Sequence, residues 1–516
     1  MPTYVTALLG AFLTAVVATP VARKVAIHFG IVDKPDPRRK LHGRVIARAG
    51  GVAVLISSLV GCAIAWFQTG QQFSLEKSTP FLGILAVMVG ICLLGLADDI
   101  WTLRGRQKLM GQVVLALMLT FAGFQFQSVH LMGIDVPLGL LAMPVTVIWL
   151  LGTTNALNLI DGSDGLCSTV GAVITGSLGL MAALGGHHAE AAVGFAMCGA
   201  LVGFLVFNFP PASIFLGDSG SLLVGLISGA LAIRCSLKGP ATVAFIAPLA
   251  ILVIPLFDST MAIVRRKLTG RSIYTTDRAH LHHNLKERGL SDVGLLVVTG
   301  GMCLFASIGA IGGTVLGHDW IGAVSAGCVL LLLIGTKAFG FAEMMLVARR
   351  IKHFTYSMLE PAAKTDQIVR QEAVRLQGSR SWEIVWATLT EFAEKQGLSR
   401  VHLDLNVPWL HEGFHATWQR SRTPDKLERW STSLPIHTGG RVLGRLDIMG
   451  PVPTGPVFEA MSQLADILQD LEPQIEQLLA APEESLPMSG SVTEIAHSSD
   501  SDSARLETLS IPSRAS

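Results

Sequence analysis

Stretches of about 17 to 22 consecutive apolar residues recur from the N-terminus to about residue 338 of this 516-residue chain. Each is long enough to cross a hydrocarbon layer of roughly 30 Å as a helix. In lipid every backbone polar group must find its partner within its own segment, so this part of the chain is confined to a bundle of transmembrane helices. Composition agrees: half of the residues are hydrophobic, 15% are charged and the mean hydropathy is +0.52, against about 25% charged in an ordinary soluble domain. The runs predict about eleven spans, at 4–21, 50–67, 80–97, 109–126, 137–154, 166–184, 190–207, 220–236, 240–263, 292–315 and 320–338. The first lacks a positive n-region and a small-residue cleavage site, so it reads as a retained helix. All seven cysteines fall in or beside these runs without a CxxC pair, which suits space-filling side chains better than disulfides or a metal site.

Alternate loops differ sharply in basic residues. One set carries Arg23, Lys24, Lys34, Arg38, Arg39, Lys40, Arg44 and Arg48, then Arg104, Arg106 and Lys108, then Arg265, Arg266, Lys267, Arg271, Arg278, Lys286 and Arg288. The other set shows only Lys77 and Lys238. Basic residues stay inside, which puts the first set in the cytoplasm, the N-terminus outside, and, after an odd number of spans, the C-terminal part in the cytoplasm. Nucleic-acid binding is not expected, because the basic residues are interleaved with membrane segments.

Four unusually polar stretches fall on that same cytoplasmic side: "LADDIWTLRGRQKL", "NALNLIDGSDGL", "NFPPASIFLGDSGS" and "TDRAHLHHNLKERG". They hold Asp98, Asp99, Asn158, Asp161, Asp164, Asn208 and Asp218. A charged side chain in a membrane segment costs about 2.5–3.5 kcal/mol at the bilayer centre, so five aspartates gathered at helix ends on one face imply a shared site. Carboxylates packed together repel unless a cation joins them, and hard oxygen ligands suit Mg²⁺, with Mn²⁺ as the alternative. Lys108, Arg278, His280, His282 and His283 on the same face suit a diphosphate. Acids, a divalent cation and bases together describe phosphoryl transfer. Zinc is the competing reading of "HLHH", but no cysteine lies nearby and adjacent histidines do not share a helix face.

After Lys352 the composition becomes that of a soluble protein. A helix over 381–398, strands at "RVHLDL", "GFHATWQ", "STSLPIH" and "GRVLGRLDIMG", and a helix over 456–480 predict a small α+β domain. The last helix has a coiled-coil-like apolar seam, which suits either packing on the sheet or a homodimer. The chain thus divides into a membrane domain, 1–340, a linker, 341–380, a cytoplasmic α+β domain, 381–480, and a Ser-rich tail, 481–516, expected to be disordered.

The stretches "DKPDPRRKLHGRVIARAGG", "LADDIWTLRGRQKL", "NALNLIDGSDGL", "FLGDSGS" and "DRAHLHH", in this order and membrane placement, resemble the polyprenyl-phosphate N-acetylhexosamine-1-phosphate transferases over about residues 1–340. The resemblance implies a multi-pass enzyme of the bacterial plasma membrane with its site on the cytoplasmic face. Such an enzyme moves a sugar-1-phosphate from a UDP-sugar to a polyprenyl phosphate and releases UMP. By motif position, Asp98 and Asp99 look like the pair that activates or positions the lipid phosphate, and Asn158 and Asp218 like the holders of Mg²⁺. Lys108 matches a diphosphate-contacting lysine, Asp164 a uridine-contacting position and Asp161 a catalytically important acid. Arg278 and His280 resemble the phosphate-contacting end of the histidine motif, His280 standing among the expected catalytic groups. Asn208, His282 and His283 are grouped with the substrate-facing residues. The form of "DRAHLHH" is more similar to the UDP-N-acetylglucosamine-type enzymes, with the phospho-N-acetylmuramoyl-pentapeptide transferases as the alternative. From another class, an ion-coupled transporter would place its acids near mid-membrane on both halves of a repeat; here they cluster at one face.

Overall fold

The computed structural model describes residues 2–33, 45–68, 75–131, 134–235, 246–268, 279–318, 320–359, 369–378, 380–410, 412–420, 428–438, 441–452, 457–480 and 492–493. Arg278 and residues 34–44 of the basic N-terminal stretch lie outside them. The chain forms two units, Met1–Met344 and Met345–Ser516.

The first unit is helical: α1 (Pro2–His28), α2 (Gly50–Gln68), α3 (Leu75–Trp101), α4 (Gly105–Phe121), α5 (Ala142–Ile160), α6 (Leu166–Leu184), α7 (His188–Asn208), α8 (Gly217–Cys235), α9 (Ile246–Ile251), α10 (Val253–Leu268), α11 (Leu281–Glu287), α12 (Asp292–Leu316) and α13 (Trp320–Gly335). Two small antiparallel pairs interrupt them, β1 (Val32–Asp33) with β2 (Ile46–Ala47) and β3 (Ser128–Leu131) with β4 (Ile134–Pro137). Among the described residues eight helices are long and apolar enough to cross a membrane. The fourth, ninth and eleventh expected spans fall instead on shorter elements. Helix α4 has 17 residues and opens on the polar run Arg106, Gln107, Lys108; the ninth is divided at Leu252 into α9 and α10; α13 has 16 residues. The break before α10 puts Pro255 in that helix's first turn, where its missing N–H is no loss.

Helix α8 is the axis of the unit, buried almost along its whole length and packed by α2, α3, α5 and α6. Small residues let backbones meet in a membrane bundle. A Cβ on Gly95 of α3 would run into the backbone carbonyl of Asp218, so α3 and α8 touch main chain to main chain one turn before Asp98 and Asp99.

Helix α14 (Phe341–Leu359) begins at the end of the first unit, and β5 (Val369–Gln377) follows. The segment expected to be a linker is therefore mostly a helix and a strand. Strand β5 carries charged and amide side chains along much of its length, which hides it in the sequence. After α15 (Glu383–Lys395) come β6 (Arg400–Val407), β7 (Glu412–Arg420), β8 (Arg429–Thr438), β9 (Arg441–Pro451) and α16 (Val457–Ala480). Together with β10 (Val492–Thr493) the strands form one antiparallel sheet in the order β10-β5-β7-β6-β9-β8. Two residues of the expected disordered tail thus pair with β5, and the rest of that tail lies outside the described residues.

One face of the sheet presents Val401, Leu403, Leu405, Phe414 and Trp418 to Trp382, Val385 and Leu389 of the α15 segment, and Leu471 and Ile475 of α16 join that core. The alternate positions of β6 put His402 and Asp404 on the opposite face, across from Thr417 and His415 of β7. Burial and the His415 ring hold the His402 imidazole down at about 4, from an ordinary 6.5. Between those values the unfolded chain binds a proton that the folded one refuses, so stability falls as pH drops through the window, by up to about 3 kcal/mol for one such site. Hydrogen exchange of the β6 and β7 amides, corrected for intrinsic rates, is expected to show this loss between pH 7 and pH 5, and His402→Gln to remove most of it.

Candidate active site

The sequence brings four helix ends together at one end of the bundle: the last turn of α3, the first turns of α4 and α8, and the last turn of α5. The Lys108 ammonium sits where they meet. It lies 2.9 Å from Asp98 Oδ2, 3.0 Å from Asp218 Oδ2 and 3.3 Å from Asn158 Oδ1. Asn158 Nδ2 in turn donates to Asp218 Oδ1 at 2.6 Å and to Ser221 Oγ at 2.8 Å. Asp98 keeps its other oxygen for the backbone N–H of Leu103 at 2.7 Å, which closes the end of α3.

Asp99 does something different from its neighbour. Its two carboxylate oxygens accept the backbone N–H groups of Asp218 and Ser219, at 3.0 and 3.1 Å. A carboxylate at a helix N-terminus satisfies orphan donors and meets the positive end of the helix dipole, so Asp99 caps α8 from α3 and fixes the turn that carries Asp218. Both oxygens of Asp99 are thus engaged by the main chain of α8, whereas Asp98 turns one of its own to Lys108. Arg48 approaches Asp99 at 4.0 Å. The strand-like segment around it holds the same turn, through Phe215 N–H to Ala47, Gly50 N–H to Phe215 and Gly51 N–H to Leu216.

The loop between α5 and α6 supplies the second wall. Asp161 is half-buried there; lost hydration and the carboxylates of Asp218 and Asp99 push it well above the usual carboxylate range. Asp164 accepts the backbone N–H of Ala212 at 2.9 Å and ties this loop to the one after α7. A Cβ on Gly162 would strike the His282 ring, so only glycine lets that ring come so close. His282 is buried, and burial together with His283 and His280 pushes it well below an ordinary histidine. Among the described residues neither of its ring nitrogens has a hydrogen-bond partner. The His280 and His282 rings lie parallel at 6.0 Å, and those of His282 and His283 are tilted by 40° at 4.2 Å. His280 Nδ1 meets Asp258 Oδ2 at 2.9 Å.

Asn208 ends α7. It is 4% exposed, its carbonyl accepts from Ser168 Oγ at 2.8 Å and its amide donates to Ile214 O at 3.0 Å. Both ends of the side chain hold protein, so it shapes the turn before α8. Of the other expected residues, Asp98, Lys108, Asn158, Asp161 and Asp218 converge, and Asp164 and His282 flank them. Arg278 lies outside the described residues. Asp258, Arg265 and Ser221 are neighbours of the site that the motif pattern does not pick out; an isolated acid inside an apolar run, as in "IPLFDSTMA", is the signal that marks Asp258.

The donor set fits a hard divalent ion. Three oxygens already surround one positive charge, that of Lys108. Among the described residues no group of three or more His, Cys, Asp or Glu is arranged to enclose a metal by itself. Mg²⁺ needs no such cage: it is held by one or two carboxylates and completes its shell with water and substrate phosphates.

The model of glycosyl transferase family 4 matches residues 81–236, the stretch that holds all of the convergent residues. The chain is 34% identical over 289 residues to the Bacillus subtilis (strain 168) protein named "Probable undecaprenyl-phosphate N-acetylglucosaminyl 1-phosphate transferase", covering 56% of this chain and 78% of that one. It is 33% identical over 312 residues to a decaprenyl-phosphate N-acetylglucosaminephosphotransferase of Mycolicibacterium smegmatis, covering 53% and 73%. It is 28% identical over 365 residues to an undecaprenyl-phosphate alpha-N-acetylglucosaminyl 1-phosphate transferase of Yersinia pestis, covering 68% and 95%.

Proposed function

The chain belongs to glycosyl transferase family 4, and from that premise we propose that it transfers N-acetylglucosamine-1-phosphate from UDP-N-acetylglucosamine to a polyprenyl phosphate such as undecaprenyl phosphate. The observation that carries this reading is Lys108 in its nest of Asp98, Asp218 and Asn158, at the end of a membrane bundle. In the reaction an oxygen of the lipid phosphate bonds to the β-phosphorus of the donor. The bridging oxygen leaves with the α-phosphate as UMP, and the β-phosphate stays with the sugar on the lipid.

The nucleophile is already anionic at neutral pH, so the task is to bring one anion up to another and hold both in line. Lys108 supplies fixed positive charge to the diphosphate. Asp98, which shares that lysine, sets where the lipid phosphate rests. Asp99 and Arg48 hold the first turn of α8, and with it Asp218. Mg²⁺, held by Asp218 with Asn158 beside it, would neutralise the diphosphate and polarise its phosphorus–oxygen bonds. Asp164 and its loop receive the uridine. The excess of basic residues in the loops at this end of the bundle argues for its cytoplasmic placement, with the C-terminal unit, at the bacterial plasma membrane. That is the side where the nucleotide sugar is, and the product begins a cell-envelope polysaccharide.

The donor is tested by offering membranes of this chain labelled UDP-N-acetylglucosamine and, in parallel, UDP-N-acetylmuramoyl-pentapeptide. Lipid product is expected from the first alone, and product from the second alone would reassign the enzyme. Metal binding has its own readout. Protein stripped with EDTA is expected to gain about 3 to 5 °C in Tm when Mg²⁺ is added to about 100 times its Kd, which is worth about 2.7 kcal/mol. The shift should be absent in Asp218→Asn.

A further inference from the structure

Helix α10 carries an acid where lipid-embedded helices avoid one. Asp258 is completely buried, and a buried charge persists only when its partners satisfy it. Its two oxygens do so on a single segment. Oδ1 accepts the backbone N–H of Leu281 at 2.8 Å, and Oδ2 meets His280 Nδ1 at 2.9 Å. Helix α11 has no cap of its own, since the side chain of His280 at its head makes no capping bond; Asp258 caps it from the neighbouring helix.

Seven residues further on, on the same face of α10, Arg265 takes the preceding residue. Its Nη2 donates to the carbonyl of Ala279 at 2.9 Å, and the buried side chain of Glu343 pairs with the same guanidinium. Ala279, His280 and Leu281 are thus all tied to one helix. The parallel stacking of His280 and His282 carries that placement on to the ring lying over Gly162.

A carboxylate that served only as a cap would need one oxygen. The second, on Nδ1, selects a tautomer: the ring keeps its proton on Nδ1 and leaves Nε2 for another partner, as second-shell carboxylates do elsewhere. We infer that Asp258 is a positioning residue for the transfer, holding His280 as the Nδ1–H tautomer with Nε2 available to a phosphate, while Arg265 and Glu343 brace the same segment. The inference rests on the phosphotransferase reading for the kinetic half of its test.

That half is a double-mutant cycle. Asp258→Asn keeps the shape and still caps Leu281, but its amide favours the other tautomer. It is expected to lower kcat by about 10- to 100-fold with KM for the nucleotide sugar little changed. In a His280→Ala background the same exchange should cost less than about threefold, because its effect runs through the ring. An equal cost in both backgrounds would make Asp258 a structural anchor and overturn the assignment. The second half needs no turnover. In full-length protein labelled with ¹⁵N-histidine, the resonances that vanish in His280→Gln are expected to report a protonated Nδ1 and a bare Nε2, reversed in Asp258→Asn. A wild-type ring protonated on Nε2 overturns the proposal even if the Asp258 variant does not fold. Absence of product from the wild-type chain, with the Nδ1–H tautomer intact, would instead count against the phosphotransferase reading.

Discussion

Asp218→Asn is expected to lower kcat at least about 10³-fold while leaving the protein folded. The change removes one negative charge and almost no volume. The substituted amide would still offer an oxygen to Lys108 or to Asn158. The backbone N–H at position 218 would still bond to Asp99, because that contact does not involve the side chain. What is lost is the charge around which the donor set is built. Asp218 touches both the lysine and the amide of Asn158, so one exchange withdraws the partner of a cation and the proposed seat of Mg²⁺ together. Steady-state transfer in nanodiscs, with elution volume and Tm as controls for folding, checks it. A loss below tenfold would move the metal and the diphosphate away from this residue.

Lys108→Ala is expected to cost about 10²- to 10³-fold in kcat/KM and to leave Asp98 and Asp218 without their shared cation. Two effects of opposite sign should appear together. The nucleotide sugar binds and reacts less well, since its diphosphate loses a fixed positive charge. Mg²⁺ is expected to bind more tightly, since the charge 3.0 Å from Asp218 Oδ2 no longer opposes it. A thermal-shift titration is therefore expected to reach its midpoint at lower Mg²⁺ in the variant than in the wild type. Lys108→Arg should recover part of the stability and little of the activity. A planar guanidinium cannot sit as a point charge among three converging oxygens. An unchanged Mg²⁺ midpoint would mean that the lysine and the metal do not share a neighbourhood.

The acids are legible in the sequence because each stands at the end of an apolar run, where an aspartate is conspicuous. Their convergence follows from counting spans: Asp98, Asn158, Asp161 and Asp218 lie at helix ends on the same side of the bundle and meet there. The distinct tasks of Asp98 and Asp99 are not legible. Neighbours in sequence point to different sides of a helix, and only the packing of α3 on α8 at Gly95 shows that Asp99 faces backbone N–H groups while Asp98 faces Lys108. The place of Asn208 in a polar stretch suggests a substrate-facing side chain, whereas the turn it stands in bends that side chain inward to Ser168 and Ile214. Asp258 escapes the motif pattern, which gathers acids at helix ends; the isolated acid within an apolar run is its own signal. Among the described residues the runs do not all become single long helices, since a window of apolar residues does not register the polar head of α4 or the break at Leu252. In the second unit the strands of alternating pattern are legible, and β5, with polar residues along both faces, is not.

The most direct test of the central claim follows the phosphorus. UDP-N-acetylglucosamine carrying radioactive phosphorus only at the β position is given to the purified chain with undecaprenyl phosphate and Mg²⁺. Phosphoglycosyl transfer predicts that the label moves to the lipid in step with unlabelled UMP, one for one, and that Asp218→Asn stops both. Label left in released UDP, with sugar alone on the lipid, or no lipid product at all, would contradict it.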